Sequence, residues 1–299
     1  MRILINRKPV DGPYGGGNNF VSAFVKFMTA HGHEVVHQLV PDIDVLFIQD
    51  PRPDESHIDI RSIAHYKQSF PSARIIQRIN ECDARKNTEH MDHLLLSCST
   101  VNDITIFVSS WMKNYFFKKG WQCQNTFVVK NGVDTSVYVP INNLEKSEKT
   151  RVVTHHWSNN YLKGFDCYEF LDYLVSKHSN IEFTYIGRHR NSFVNTKIVP
   201  PCSGKELAEQ LRGHDIYISG SRNDPGPNHI LESIASGIPT YAHAEGGGAV
   251  EFTGPRHVFR NLIELEKLIL RGNFEKNHVE INDWDYCMEQ YLRIISIGI

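Results

Sequence analysis

Short apolar runs alternate with segments of helical period along nearly the whole chain, and this alternation restricts the fold more than any single motif. Strands that hand over to helices in regular succession build parallel α/β architecture, because parallel neighbours need a crossover long enough to hold a helix. The first residues, from Arg2 to Asn6, form a buried strand, and Phe20, Ala23, Phe24, Phe27 and Met28 then recur at helical spacing. Gly32 ends that helix. Further strands are expected at 34–38, 45–49, 74–79, 104–108 and 125–130, with helices near 90–97 and 110–119. A polar stretch at 140–149, rich in Asn, Glu, Lys and Ser, interrupts the pattern. The alternation resumes at Arg151, with helices near 167–178 and 205–211 and strands at 181–186 and 215–219. This organisation predicts two Rossmann-like parallel-sheet domains facing a central cleft. They cover 1–140 and 151–280, with a linker at 141–150 and an amphipathic segment at 281–299.

Composition narrows the function classes. The 299 residues are 40% hydrophobic, ample for one large or two medium domains. A net charge of −2 gives no general attraction to nucleic acid, and the short basic runs at 113–119 and 188–190 read as solvated faces. Six scattered cysteines without a C-x-x-C pair argue against a zinc site or a disulfide framework and favour a reducing, cytoplasmic setting. No apolar run approaches a membrane span, and no secretory signal precedes the first strand. Peripheral contact with a membrane fits only if a substrate is lipid-linked.

The densest information lies in Ser219 to Glu251. Pro225 and Pro227 forbid helix before about Asn228, since proline lacks an N–H and restricts its predecessor. Asn228, His229 and Ile230 would then offer unpaired backbone N–H groups at the positive end of a helix, suited to an anion. Asp224 is left in the loop beside them, Glu232 lies one turn into the helix, and Gly237 is placed to stop it. An acid, seven residues, a Glu, a small-residue helix and the Gly-x-Pro of 237–239 together resemble the donor-binding signature of the family 4 glycosyltransferases. Those enzymes have the two-domain GT-B fold. Gly246, Gly247, Gly248 and Glu251 resemble the glycine loop and acid that follow in that family.

The resemblance extends over nearly the whole chain, from Arg2 to about Glu251. Gly15, Gly16 and Gly17 follow the first strand, where glycine lets backbone approach a phosphate or sugar. They do not form G-x-G-x-x-G, so the dinucleotide fingerprint is missing. In the family, a glycine pair here faces the donor diphosphate. Lys163-Gly164 matches a family Lys-Gly, but Ser158 stands where most members carry an Arg, which points to Arg188 or Arg222 as the second cation. Asn80, Asp83 and Arg85 sit in a polar run after a strand and are candidates for acceptor hydroxyls. Gln77 replaces a common first-domain histidine, and Ser109-Ser110-Trp111 and Asn131-Gly132-Val133-Asp134 match further landmarks.

The resemblance implies a retaining transferase that moves a sugar from a nucleoside diphosphate sugar to a hydroxyl of a glycan or glycolipid. A UDP-sugar is favoured over a GDP-sugar. Lys163, the amides of Asn228 to Ile230 and the Gly15–Gly17 loop would stabilise the departing diphosphate, Asp224 would hold donor-sugar hydroxyls, and Glu232 would accept from ribose hydroxyls. Neither cofactor nor metal is implied. The alternatives are a nucleotide-sugar epimerase or hydrolase, and a degenerate protein that only binds sugar.

Overall fold

The computed structural model describes every residue except 11, 13, 14, 54–57, 141–146, 298 and 299. Part of the glycine loop and most of the expected linker at 141–150 therefore lie outside the described residues. The chain forms two compact units, one of Met1–Asn131 with Trp284–Ile299, the other of Gly132–Asp283.

In the first unit, β1 (Arg2–Ile5), β2 (Glu34–Val36), β3 (Val45–Ile48), β4 (Arg74–Ile79), β5 (Ile104–Phe107) and β6 (Thr126–Val128) form one sheet in the order β2-β1-β3-β4-β5-β6. Every pairing is parallel. The connections carry α1 (Gly16–Ala30), α2 (Ile60–Ser69), α3 (Met91–Cys98) and α4 (Ser110–Phe117). Runs such as Val45 to Ile48 are buried on both faces, as a sheet covered by helices requires. Asp59 caps α2 by accepting from the Ser62 amide at 2.8 Å, and Ser109 caps α4 by accepting from Met112 at 3.1 Å.

The second unit contains β7 (Thr150–His156), α5 (Phe165–Lys177), β8 (Ile181–Gly187), β9 (Lys197–Val199), α6 (Gly204–Leu211) and β10 (Ile216–Ser219). Beyond them come α7 (Asn228–Ala235), β11 (Thr240–His243), α8 (Gly248–Thr253), β12 (Val258–Phe259) and α9 (Leu262–Arg271). Its six strands are also all parallel, in the order β12-β11-β10-β7-β8-β9. Numbered within the unit this is 6-5-4-1-2-3, the doubly wound order, whose direction reverses between β7 and β10.

The last helix, α10 (Trp284–Ile295), belongs to the first unit. Its Met288, Tyr291, Ile294 and Ile295 join Ile3, Phe20, Phe24, Phe47 and Ile76 in one core cluster. The Tyr291 ring lies 5.0 Å from Phe20 and 6.0 Å from Phe47, and each such buried aromatic contributes about 1.5–3 kcal/mol. The return is wired by a buried cation. Arg78, 2% exposed, donates to Tyr291 Oη (3.2 Å), Gln49 Oε1 (3.3 Å) and Asn131 Oδ1 (2.6 Å) and stacks 4.0 Å over Phe20. Burial depresses its basicity, and Tyr291 offsets part of that.

Candidate active site

Ligands of open parallel sheets bind outside the carboxyl ends of the strands, where the strand order reverses. In the second unit that place is set by the loops that leave β7 and β10. The β7 loop reaches a short 3₁₀ turn, Tyr161–Lys163, where the Asn160 side chain accepts from the Leu162 amide at 2.9 Å. The β10 loop runs from Gly220 to Pro227. The two loops are stitched together: the Arg222 amide donates to Leu162 O (2.8 Å) and Ser221 Oγ to Lys163 O (3.4 Å).

This stitching brings Lys163 Nζ to 2.6 Å from Asp224 Oδ2, an ion pair whose side chains are 13% and 4% exposed. The glycine loop holds the acid's backbone. The Asp224 amide donates to Gly246 O (2.9 Å), and its carbonyl accepts from the Gly248 amide (2.8 Å). A Cβ on Gly248 would fall 2.3 Å from Pro225 O, so only glycine permits this approach. Lys163, Asp224 and the 246–248 loop are thus one structure.

Helix α7 starts at Asn228 with Pro227 as its cap, as its prolines dictate. One expectation is corrected: the Ile230 amide is not an unpaired donor but donates to Pro227 O at 3.2 Å, because the first turn tightens to i→i+3 geometry. The His229 ring is buried and shares a 2.8 Å hydrogen bond with Ser219 Oγ. Glu232 Oε2 lies 2.8 Å from Nε2 of His155, a residue the sequence reading passed over. Beside it, His156 Nε2 lies 2.6 Å from Tyr168 Oη, which accepts from the Gly220 amide at 3.0 Å. Burial, reinforced by His229 and Lys163, pushes the His156 imidazole well below the usual histidine range, so it is neutral at physiological pH.

The two candidate second cations differ sharply. Arg222 is committed: it pairs with Asp166 Oδ2 (2.8 Å) and Glu245 Oε2 (3.3 Å) and also donates to Gly220 O. Arg188 lies just beyond the end of β8, exposed, 3.9 Å over the Trp157 ring in the β7 loop, and no carboxylate among the described residues pairs with it.

In the first unit the order reverses between β1 and β3, and the Gly15–Gly17 stretch follows β1 at that point. Gly15 caps α1, and Gly16 and Gly17 begin it, where first-turn amides have no intrahelical acceptor. Added to Gly17, a Cβ would sit 3.7 Å from Gln49 Nε2 and 3.8 Å from Asn80 Nδ2, so Asn80 borders this loop. Asp83 and Arg85 belong to another network. The Asp83 carboxylate accepts from the Met91 and Asp92 amides (2.9 Å each) and from Thr88 Oγ1 (2.5 Å), holding the start of α3. Burial alone would raise this carboxyl, but those hydrogen bonds outweigh it and hold it below the usual range. Arg85 pairs with Glu81 at 3.2 Å. Gln77 is fully buried and accepts from Asn102 at 2.6 Å.

Among the described residues no cluster of three or more His, Cys, Asp or Glu is placed to hold a metal ion, and no helix is long and apolar enough to cross a membrane. All six cysteines are free thiols.

Neither a scan of protein-family models nor a search of curated proteins returns a match. Solved structures do match, and they define the fold. Sucrose-phosphate synthase from Thermosynechococcus elongatus superposes with a TM-score of 0.71 at 11% identity, covering 98% of each chain. HepE of Anabaena, solved with UDP and glucose, gives 0.72 at 13% identity over 99% of each. WaaG, a glycosyltransferase involved in lipopolysaccharide biosynthesis, gives 0.68 at 12% over the full length of both. The chain therefore has the GT-B fold of these enzymes.

Proposed function

We propose that this protein is a retaining glycosyltransferase of the family 4 type, moving a sugar from a nucleoside diphosphate sugar to a hydroxyl of a glycan or glycolipid. The observation that carries this reading is the Lys163–Asp224 pair at the strand-order reversal, with Glu232 one turn into the adjoining helix. A cation and a hydroxyl-binding acid, fixed on stitched loops beside a helix N-terminus, suit a diphosphate joined to a sugar. Lys163 is a compact cation with three N–H donors, one of which meets Asp224, and it suits phosphate oxygens as a point charge. Asp224, held by its backbone, meets hydroxyls of the donor sugar.

In the step itself the bond from the anomeric carbon to the diphosphate oxygen breaks. The acceptor oxygen bonds to that carbon from the same face, and its proton passes to the departing diphosphate. Negative charge grows on the leaving group, so fixed positive groups do most of the work. No cofactor or metal enters this scheme. The donor is taken to be a UDP-sugar, supported by the complexes of HepE with UDP and with UDP-glucose. Asn80, beside the Gly15–Gly17 loop, is the acceptor contact best supported in the first unit. Asp83 and Arg85 shape the loop that follows it.

Titration calorimetry with UDP and GDP tests the donor site. UDP is expected to bind, and Glu232→Ala to weaken it by about tenfold or more, the worth of a hydrogen bond to a charged group. Failure of both nucleotides to bind the intact protein would overturn the assignment. Arg188 is the proposed second diphosphate contact. Arg188→Ala should lower kcat/KM for the donor by about tenfold and leave the melting temperature within 1–2 °C, as an exposed residue permits. Equal kinetics for Arg188→Ala and wild type would return that role to the backbone amides.

A further inference from the structure

We infer that His155 is a positioning residue that fixes Glu232 so that one carboxylate oxygen is locked and the other is presented to the ribose of the nucleotide; this rests on the donor site proposed above. Glu232 Oε2 lies 2.8 Å from His155 Nε2, and no other hydrogen bond to the Glu232 side chain exists among the described residues. The carboxylate is 13% exposed, so its second oxygen is the one polar group it can still offer. A long, unclamped Glu side chain would have to give up rotamer freedom on binding; the histidine removes that freedom beforehand.

The histidine is itself held. Its amide donates to Tyr217 Oη (3.0 Å), and the same hydroxyl donates back to its carbonyl (3.2 Å). Its ring lies edge-on to Tyr217 at 5.4 Å and to His229 at 6.1 Å. The ring's other nitrogen is informative. Nδ1 is buried with no hydrogen-bond partner among the described residues, in a residue 8% exposed. An orphaned buried polar atom is unfavourable. A phenyl ring at this position would fill the space without that cost. Among the described residues the imidazole's only side-chain hydrogen bond is the one to Glu232, so its polarity serves the carboxylate rather than the core.

A carboxylate oxygen set to accept from a ribose hydroxyl discriminates against a nucleotide that lacks it. The test compares UDP with 2′-deoxy-UDP by calorimetry on the full chain. The wild-type protein should prefer UDP by about 10- to 100-fold. His155→Phe should bring that ratio to within about threefold of unity, matching Glu232→Ala, and His155→Gln, which restores an N–H donor, should recover most of it. A folded His155→Phe protein that keeps the wild-type ratio, whatever its melting temperature, overturns the inference. Should His155→Phe not fold, His155→Asn, whose shorter amide falls short of Glu232, carries the same two outcomes. A wild-type protein that binds UDP without preferring ribose overturns the inference while leaving nucleotide binding intact. One that binds no nucleotide overturns the donor site as a whole.

Discussion

Lys163→Ala is expected to lower turnover by about 10²- to 10³-fold, the loss typical when one fixed group facing developing negative charge is removed. The substitution also takes the lysine away from Asp224, whose side chain is only 4% exposed. Removing one partner of a buried pair costs about 3–5 kcal/mol, because the remaining charge stays buried. Catalysis and stability should therefore fall together, and a second substitution separates them. In Lys163→Ala/Asp224→Asn that buried charge is gone, so the melting temperature should recover most of its loss while turnover stays low. Lys163→Arg should retain the charge but not the activity, since a broad planar guanidinium cannot replace a compact ammonium in a site this enclosed. Steady-state kinetics with a UDP-sugar donor, alongside thermal unfolding of each variant, checks all three. If Lys163→Ala kept turnover within threefold of wild type, the lysine would be a structural partner of Asp224 and nothing more.

The second large effect is expected one residue later. Gly164 has φ +100°, and a Cβ built there would lie 2.3 Å from the Gly220 carbonyl carbon and 2.6 Å from its oxygen. Both are backbone atoms in the β10 loop, so no side chain can swing aside. Gly164→Ala must push apart the two loops whose stitching sets the Lys163–Asp224 distance. The strained backbone alone costs about 1–3 kcal/mol, and the clash adds to it. A melting temperature lower by roughly 10 °C, or failure of the second unit to fold, is the expected outcome. Gly120 supplies the control. It also has positive φ (+91°), but a Cβ there meets nothing within 4 Å, so Gly120→Ala reports the strain without the clash. Equal losses for the two variants would show that the contact with Gly220 is unimportant.

These effects also show where the sequence was readable. Periodicity located β4 and most other strands within a residue or two, because apolar runs between polar turns leave little freedom. The short edge strands β9 and β12 and the helices α2, α8 and α9 went unassigned; β9 has only 3 residues and runs straight into Pro200 and Pro201. The start of α7 was legible because prolines act locally. The pairing of Lys163 with Asp224 was not, since it links residues 61 positions apart through the spatial neighbourhood of β7 and β10. Strand order is a property of the whole sheet, and no local pattern encodes it. His155 was missed for the same reason: its partner Glu232 lies 77 positions away. Asp83, read as a candidate for acceptor hydroxyls, has local partners that its sequence does not announce. A polar run after a strand looks like a binding loop, and nothing in its composition reveals that the carboxylate is already occupied at the start of α3.

The return of α10 to the first unit has a consequence for how the protein is made. The core around Phe20, Phe24 and Phe47 is completed by Met288, Tyr291, Ile294 and Ile295, while the second unit is one unbroken stretch ending at Asp283. On the ribosome the first half emerges early but lacks a wall of its core, and Arg78 lacks the Tyr291 hydroxyl. The later half has all of its residues before α10 is synthesised. Synthesis from the N-terminus usually lets the first domain fold first. Here the order of completion is inverted, and the early half must keep its aromatic surface from aggregating until the final helix arrives.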